Sequence, residues 1–199
     1  RGWITEVYPH LAHSARQELT TIYNCPDVSR FRPPTAEERE AARARFGMVN
    51  GDYSLGLATT NFALKGASQL IRALSLLPED VHLHIAGGRG SGRYKELAAS
   101  LGLAKRVHFH GRVEDMRAFY HSLDMFALPS FYDTLGNVVL EALGSGVKTL
   151  CSDRAGACSF LPPDQVIQDP GSPEEIAKRV IMLRDKEIPA PFEPRGAGV

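Results

Sequence analysis

The sequence predicts an α/β protein built on a Rossmann-like, doubly wound parallel sheet. From Tyr53 to Leu183, short apolar runs alternate with amphipathic stretches, and each run is followed by a helix or turn signal. This alternation is typical of a parallel sheet that is covered by helices on both faces. The 199 residues are enough for one large domain with extensions, and an apolar content of 43% can supply its core.

The predicted elements follow one another with little interruption. The strands are short and apolar: Tyr53–Thr59, Val81–Ala86, Arg106–His110, Met125–Leu128, Val147–Cys151 and Val166–Gln168. The helices between and after them are Ala67–Leu76, Tyr94–Leu101, Glu114–Leu123, Gly136–Leu143 and Glu174–Leu183. Before the first strand, Thr35 and Glu38 have the spacing of a capping box, which predicts a helix to about Arg45. The unit 153–160 is the weakest and could form a short helix.

Composition excludes several functional classes. The 23 basic and 23 acidic residues give a formal net charge of zero, which argues against nucleic acid as the main partner. No run of eighteen apolar residues occurs, so no transmembrane segment is predicted. No signal-peptide pattern follows Arg1. The three cysteines, an odd number without dense spacing, favour a reducing cytoplasm.

The segment Pro129–Ala142 is the most informative part of the chain. It places Asp133 and Glu141 eight positions apart around a predicted helix start near Gly136. The free N–H groups and the dipole of a helix N-terminus bind anions. At 1.5 Å per residue, Glu141 would lie roughly 7–8 Å further along the helix axis. A ligand with a central diphosphate, such as a sugar nucleotide, fits this spacing.

This segment resembles the carboxylate-x7-carboxylate motif of family 4 (group 1) retaining glycosyltransferases, which have the GT-B fold. The family's usual form is P-S-x-x-E-x-x-G-x-x-x-x-E-A, followed by a turn of small residues. Asp133 stands where the family has its first Glu, and the Tyr-Asp-x-x-Gly-Asn-Val variant looks most like lipopolysaccharide and cell-wall sugar transferases. The positions that match are Pro129-Ser130, Gly136, Glu141-Ala142 and Gly144-Ser145-Gly146.

The resemblance implies that this chain is one half of a GT-B architecture, the C-terminal donor-binding domain. Residues 22–33 are similar to the family's interdomain hinge. Residues 1–34 are then a remnant of the N-terminal domain with the hinge, 35–187 the sugar-nucleotide-binding domain, and 188–199 a Pro/Gly-rich tail. The acceptor, a glycan or lipid-linked glycan, would bind mainly to a first domain that this chain lacks. The chain alone is therefore expected to bind a nucleotide but to transfer sugar very poorly.

The same resemblance assigns catalytic roles to three residues and implies that no metal or other cofactor is needed. Glu141 would bind the ribose hydroxyls, Asp133 a hydroxyl of the donor sugar, and Lys65, which precedes Gly66, the leaving diphosphate. In the family this lysine is paired with an arginine five residues earlier. Thr60 occupies that position here, so the pair of cations is incomplete.

Other donor-binding residues are expected around the same edge of the sheet. A glycine-rich turn follows the second strand and contains Gly87 and Arg89, although a plain loop is an equally good interpretation. Arg112 and Val113 follow the third strand, where the resemblance implies that the nucleotide base packs. The helix start contributes the backbone of its first residues, which are Leu135, Gly136 and Asn137.

Two alternatives to a transferase domain remain open. A sugar-nucleotide epimerase would share the architecture, although it should lack the Pro-Ser…Glu-Ala motif. A non-catalytic nucleotide-binding or scaffold module is favoured by the departures at Thr60 and Asp133. For the full-length protein the resemblance implies a cytoplasmic location, with a peripheral position at the inner membrane as a further option.

Four histidines form a separate pattern. Because side chains alternate along a strand, His82 and His84 share one face, and His108 and His110 share the same face of the next strand. Four imidazoles could therefore cluster. A metal site is conceivable, but no carboxylate or cysteine stands at ligand spacing, so partly buried and hydrogen-bonded histidines are the favoured interpretation.

Overall fold

The computed structural model describes residue 24 and residues 26–27, 29–88 and 90–186. The helices are α1 (Ala36–Arg45), α2 (Ala67–Leu74), α3 (Gly92–Ser100), α4 (Met116–Ser122), α5 (Asn137–Gly144) and α6 (Pro173–Arg184). The strands are β1 (Tyr53–Ala58), β2 (Val81–Ala86), β3 (Val107–Gly111), β4 (Met125–Leu128), β5 (Lys148–Ser152) and β6 (Val166–Ile167). Two 3₁₀ helices, Gly156–Phe160 and Pro163–Gln165, lie between β5 and β6.

All six strands form one parallel sheet in the order β3-β2-β1-β4-β5-β6. β1 pairs with β2 along its whole length, from Tyr53↔Val81 to Ala58↔Ala86. On its other side β1 pairs with β4 at Leu55↔Met125 and the following residue. The strand order therefore reverses between β1 and β4, and sheets of this type bind ligands beyond the carboxyl ends of the strands at such a point.

The strands are buried on both faces, which explains why they read as nearly continuous apolar runs. Leu55, Leu57, Leu83 and Phe126 have no solvent exposure. The helix contacts fall into two groups: α2 meets α3 and α6, whereas α4 meets α1 and α5. The two groups cover opposite faces of the sheet, because the chain changes sides where the strand order reverses.

Helix α1 begins at the predicted capping box and is tied to the start of β4. Thr35 accepts a hydrogen bond from the Glu38 N–H, and the Glu38 carboxylate accepts one from the Thr35 N–H. Further along α1, the Arg39 guanidinium donates to Asp124 at 2.6 Å and to the Leu123 carbonyl at 2.8 Å. Through these bonds α1 holds the amino end of β4 in place.

The predicted strands and helices are all present, and their ends differ from the prediction by at most two residues. Helix α4 begins at Met116 instead of Glu114, because Asp115 caps it by accepting from the Ala118 N–H. β1 ends at Ala58, one residue early, because Thr59 already turns into the following loop. The weak unit 153–160 forms the 3₁₀ helix Gly156–Phe160. The predictions for residues 1–21, the tail 188–199 and Arg89 lie outside the described residues.

Among the described residues, no helix combines the length and the apolar character that crossing a membrane requires.

Candidate functional site

A cleft of about 790 Å³ lies at the carboxyl edge of the sheet, where the strand order reverses. The loops after β1, β2, β3 and β4 form its walls, together with the first turns of α4 and α5. Nine residues that the sequence predicted as site residues line it: Thr60, Lys65, Gly87, Arg112, Val113, Asp133, Gly136, Asn137 and Glu141. The cleft is large enough for a nucleotide-sized ligand, since such pockets span roughly 300–1,000 Å³.

The loop between β4 and α5 is held rigid by the segment after β5. The Asp133 N–H donates to the Arg154 carbonyl at 3.0 Å, and the Gly156 N–H donates to the Asp133 carbonyl at 3.2 Å. Gly136 then opens α5 with φ of 82°, a left-handed conformation that glycine adopts without steric cost. No side chain caps this helix end, and its first residues, Gly136 and Asn137, line the cleft.

Lys65 and Asp133, which both line the cleft, form an ion pair. The Lys65 Nζ lies 2.5 Å from Asp133 Oδ2 and 3.0 Å from the Tyr132 carbonyl oxygen. Both side chains are 18% exposed, so water screens the pair only in part. The two residues predicted to bind diphosphate and sugar therefore neutralise each other in this structure.

Gly66 brings the two loops of this ion pair together. Its φ is 70°, and a β carbon at this position would lie 2.1 Å from the Pro129 carbonyl oxygen. Only glycine permits such a close approach of the loop after β1 to the loop after β4. Gly66 itself does not line the cleft, so its role is to set the spacing between Lys65 and Asp133.

Glu141 lies on the inner side of α5, between the cleft and the hydrophobic core. Its Oε2 accepts a hydrogen bond from the hydroxyl of Tyr120, at 2.9 Å. Burial raises the pKa of Glu141, while the Tyr120 hydrogen bond and the positive charge of Arg30 act in the opposite direction. The result is a partly desolvated carboxylate with a fixed orientation at the wall of the cleft.

The opposite wall is formed by backbone-rich turns after β2 and β3. The Gly87 N–H donates to the Gly111 carbonyl at 2.5 Å, which joins the two turns. Gly88 packs closely against the ring of Phe62. A β carbon at position 88 would lie 1.9 Å from that ring, so a larger residue would clash with it. Arg112, which follows Gly111, is exposed and free to meet a ligand, whereas Val113 is half-buried.

Sequence reasoning found most of the site, but it missed some of its residues. Leu135 lies in the predicted loop but does not line the cleft, and its N–H donates to the Asp133 carboxylate at 3.3 Å. Tyr120 was missed entirely, because nothing in the pattern of α4 distinguishes it from a core aromatic residue. Further lining residues that were not predicted are Ala58, Thr59, Ala86, Gly88, Met116 and Val138.

The predicted histidine cluster is confirmed and consists of hydrogen-bonded pairs. His82 Nδ1 lies 3.0 Å from His108 Nε2, and His84 Nδ1 lies 3.0 Å from His110 Nε2. The rings stack, and the ring centroids of His84 and His108 lie 4.6 Å apart. Burial lowers the pKa of His84 to about 3, so it is neutral at physiological pH. Across the described part of the chain, no group of three or more His, Cys, Asp or Glu could hold a metal ion.

Comparison with known proteins relates this cleft to one enzyme family. The family model described as glycosyl transferases group 1 matches residues 39–195. D-inositol 3-phosphate glycosyltransferase of Nocardia farcinica is 34% identical over 154 residues, which are 71% of this chain and 34% of that protein. Lipopolysaccharide glucosyltransferase WaaG of Escherichia coli is 27% identical over 145 residues, 69% of this chain and 39% of that protein. The chain thus spans between about a third and two fifths of the length of these two relatives.

Solved structures of glycosyltransferases share the fold. WaaG superposes with a TM-score of 0.74 at 23% identity, covering 82% of this chain and 46% of that chain. Anabaena HepE in complex with UDP and glucose gives a TM-score of 0.75 at 24% identity, covering 83% of this chain and 47% of that chain. The C-terminal domain of the group 1 protein LpcC from Francisella tularensis gives 0.68 at 23% identity, covering 79% of this chain and 87% of that chain.

The structural likenesses confirm the predicted fold class, and the family model confirms the predicted group 1 glycosyltransferase family. The neighbours are GT-B glycosyltransferases, and the matched part of WaaG and of HepE is about half of each chain. The family model covers most of this chain, from the middle of α1 past the end of α6. The chain belongs to the group 1 glycosyltransferases.

Proposed function

We propose that this chain is the nucleotide-sugar donor-binding domain of a retaining family 4 glycosyltransferase that needs no metal. The reaction would move a sugar from a nucleoside diphosphate sugar to an acceptor hydroxyl. One observation carries the proposal: Lys65, the start of α5 and Glu141 all line one cleft at the reversal of strand order. These groups offer a cation, a helix N-terminus and a carboxylate to a single ligand.

The diphosphate is assigned to Lys65 and the N-terminus of α5. Negative charge grows on the departing diphosphate as the glycosidic bond breaks. Positive groups that are already oriented toward that charge lower the barrier, because they need no reorganisation. A protonated lysine and the N–H groups after Gly136 can supply this stabilisation without a metal ion.

The ion pair between Lys65 and Asp133 links two contacts with the donor, that of Lys65 with the diphosphate and that of Asp133 with the sugar. A bound diphosphate would compete with Asp133 for the Lys65 ammonium, which has three N–H donors to share. Asp133 would then accept a hydrogen bond from a hydroxyl of the donor sugar. The shorter aspartate side chain keeps the acceptor that the family's glutamate provides, one methylene closer to its own backbone.

The nucleoside is assigned to the far side of the cleft. Glu141 would accept hydrogen bonds from the ribose hydroxyls, and the backbone around Arg112 and Val113 would contact the base. HepE, which shares the fold, has been solved with UDP and glucose, so a donor of this chemical class is compatible with the architecture. The neutral charge balance of the chain fits a small-molecule donor better than a nucleic acid.

The acceptor would be a glycan or lipid-linked glycan bound mainly by an N-terminal domain of the full-length protein. Relatives include the lipopolysaccharide glucosyltransferase WaaG and the lipopolysaccharide core biosynthesis glycosyltransferase LpsE. We therefore assign the full-length protein to envelope glycan assembly, in the cytoplasm or peripheral to the inner membrane.

A nucleotide-binding module without transferase activity is the second candidate, and the Lys65–Asp133 ion pair favours it. The pair compensates the lysine charge, and Thr60 replaces the arginine that family members place five residues before it. A site with less positive charge would hold a nucleotide but stabilise a departing diphosphate less well. A transfer assay with the full-length protein separates the two candidates.

Calorimetric titration of the chain with UDP, GDP and ADP, with and without EDTA, tests the proposed function. Saturable binding of one nucleotide that is unaffected by EDTA is the expected result. Glu141→Ala should weaken this binding about 10- to 100-fold, as the loss of hydrogen bonds to a charged group predicts. Glu114→Ala, which removes an exposed carboxylate outside the cleft, serves as the control and should bind like the wild type. Failure to bind any of the three nucleotides would contradict the proposal.

A further inference from the structure

We propose that Tyr120 is a positioning residue of the donor site, which holds Glu141 in the orientation that accepts the ribose hydroxyls. Tyr120 does not line the 790 Å³ cleft and would not touch the donor. Its effect would pass through the hydrogen bond from its hydroxyl to Glu141 Oε2. The inference rests on the proposed function, because it concerns how that site recognises the sugar of the nucleoside.

The Tyr120 ring is fixed by its neighbours. The side chain has no solvent exposure. Its ring makes edge contacts with Phe31, at a centroid distance of 5.9 Å, and with Phe126, at 5.6 Å. Phe119, the preceding residue, packs against it at 6.1 Å. An aromatic ring enclosed in this way cannot swing, so its hydroxyl occupies one place and can hold a partner there.

Glu141 needs such a partner because its immediate neighbours in α5 are apolar. Residues Val138, Val139, Leu140 and Ala142 surround it in α5 and offer no side-chain hydrogen bonds. A buried carboxylate without a donor is costly, and it lowers that cost by protonation or by turning toward water. Tyr120 is suited to the task, because burial raises its own pKa well above the ordinary value and the hydroxyl keeps its proton.

The geometry leaves the acceptor capacity that a ribose needs. An ionised carboxylate has two oxygens and about four lone-pair positions. Tyr120 occupies one position on Oε2, on the core side of the carboxylate. Glu141 lines the cleft, and its remaining acceptor positions are enough for the two adjacent hydroxyls of a ribose. Without the tyrosine hydroxyl the carboxylate would be free to rotate or to bind a proton, and this acceptor pair would be lost.

The test measures the dissociation constants of a nucleotide (UDP, GDP or ADP, whichever binds) and of its 2′,3′-dideoxy form. The ratio of the two constants is compared between the wild type and two variants. The wild type should bind the dideoxy form about 10- to 100-fold more weakly, because two hydrogen bonds to a charged acceptor are lost. In Tyr120→Phe this ratio should fall to about 2- to 5-fold, with most of the change in the affinity for the ordinary nucleotide.

Tyr53→Phe is the matched control. It removes a buried tyrosine hydroxyl from the same domain, and within the described residues this hydroxyl has no hydrogen-bond partner. Its ratio should equal that of the wild type. A merely structural role for Tyr120 would weaken both nucleotide forms equally and leave the ratio unchanged.

The outcomes separate this inference from the proposed function. A wild-type ratio retained in Tyr120→Phe would overturn the role of Tyr120 while leaving nucleotide binding intact. Absence of nucleotide binding by the wild type would overturn the proposed function, and the inference with it. If Tyr120→Phe does not fold, Tyr120→Met replaces it, because methionine also lacks the hydroxyl and its flexible side chain can fill the space of the ring. The ratio should again fall below about 5-fold, and a wild-type ratio would overturn the inference.

Discussion

His84, His108 and His110 stack on one face of the paired strands β2 and β3, and burial lowers the pKa of each. His84 is 2% exposed, and its pKa falls to about 3 from an ordinary value of 6.5. The folded state therefore keeps this ring neutral at a pH where the unfolded chain binds a proton. Since the unfolded state binds more protons, neutral His84 contributes to the free energy of unfolding above pH 6.5. This contribution is lost as the pH falls from about 6.5 towards about 3.

We expect the free energy of unfolding, measured by urea denaturation, to decrease as the pH is lowered from 7.5 to 5.5. His84 alone can contribute up to about 1.4 kcal/mol per pH unit below its unfolded pKa. Glu141, whose pKa is raised, titrates in the opposite sense, so the measurement is best made in the Glu141→Gln background. A stability that is flat over this range would contradict the burial of neutral histidines.

Some residues of the site could be predicted from the sequence, whereas most contacts between them could not. Asp133 and Glu141 were predicted from their spacing, because a strand, a loop and a helix start fix them locally. Lys65 was predicted as a site residue, but its pairing with Asp133 was not, and Tyr120 was not predicted at all. Lys65 is 68 positions from Asp133, and Tyr120 is 21 positions from Glu141 on another helix. Such contacts depend on how elements pack, and no periodicity within a single element encodes that packing.

The turn between β1 and α2 depends on the close packing of Gly66 against Pro129. Gly66→Ala places a β carbon 2.1 Å from the Pro129 carbonyl oxygen, at a φ of 70° that alanine disfavours. We expect a loss of about 2–5 kcal/mol in the free energy of unfolding, from the left-handed conformation and from overpacking together. Nucleotide affinity should fall as well, because the loops that carry Lys65 and Asp133 are pushed apart.

Gly102→Ala separates these two causes. Gly102 follows α3 with φ of 73°, and a β carbon there would meet no atom within 4 Å. The substitution should cost only the conformational part, about 1–2 kcal/mol, and should leave nucleotide binding unchanged. Urea unfolding and calorimetric titration of both variants provide the measurement. Equal losses in the two variants would mean that the contact with Pro129 is unimportant.

The elements themselves were largely predictable, because their apolar runs are long enough to identify a buried strand or an amphipathic helix. Their ends were less so. Met116 replaces Glu114 as the start of α4 because a single side chain, Asp115, caps the helix. The segment 153–160 is short and rich in small residues, so its sequence does not predict a 3₁₀ helix in particular. Backbone hydrogen bonds to the loop after β4 support this helix.

The domain as a whole is expected to bind donor without transferring sugar efficiently. The chain covers 34% of the N. farcinica relative and 39% of WaaG, so much of a family member's length lies outside it. We expect transfer by this chain to be at least about 1,000-fold slower than by the full-length protein, because positioning of the acceptor alone can contribute several kcal/mol to a reaction. Radiolabelled donor and an acceptor extract, compared between the two proteins, measure this difference. Comparable rates would show that the described domain is sufficient.

The reversal of strand order has a consequence for how the protein is made. Lys65 lies in the loop after β1 and Asp133 in the loop after β4, so the two partners of this ion pair leave the ribosome 68 residues apart. Pairing of β1 with β4 is a non-local contact that closes a long loop, and such contacts form late in folding. On the proposed function, the nucleotide site is complete only after the chain has been synthesised past Glu141. A nucleotide that binds the cleft would then stabilise the completed fold over intermediates in which the cleft has not formed.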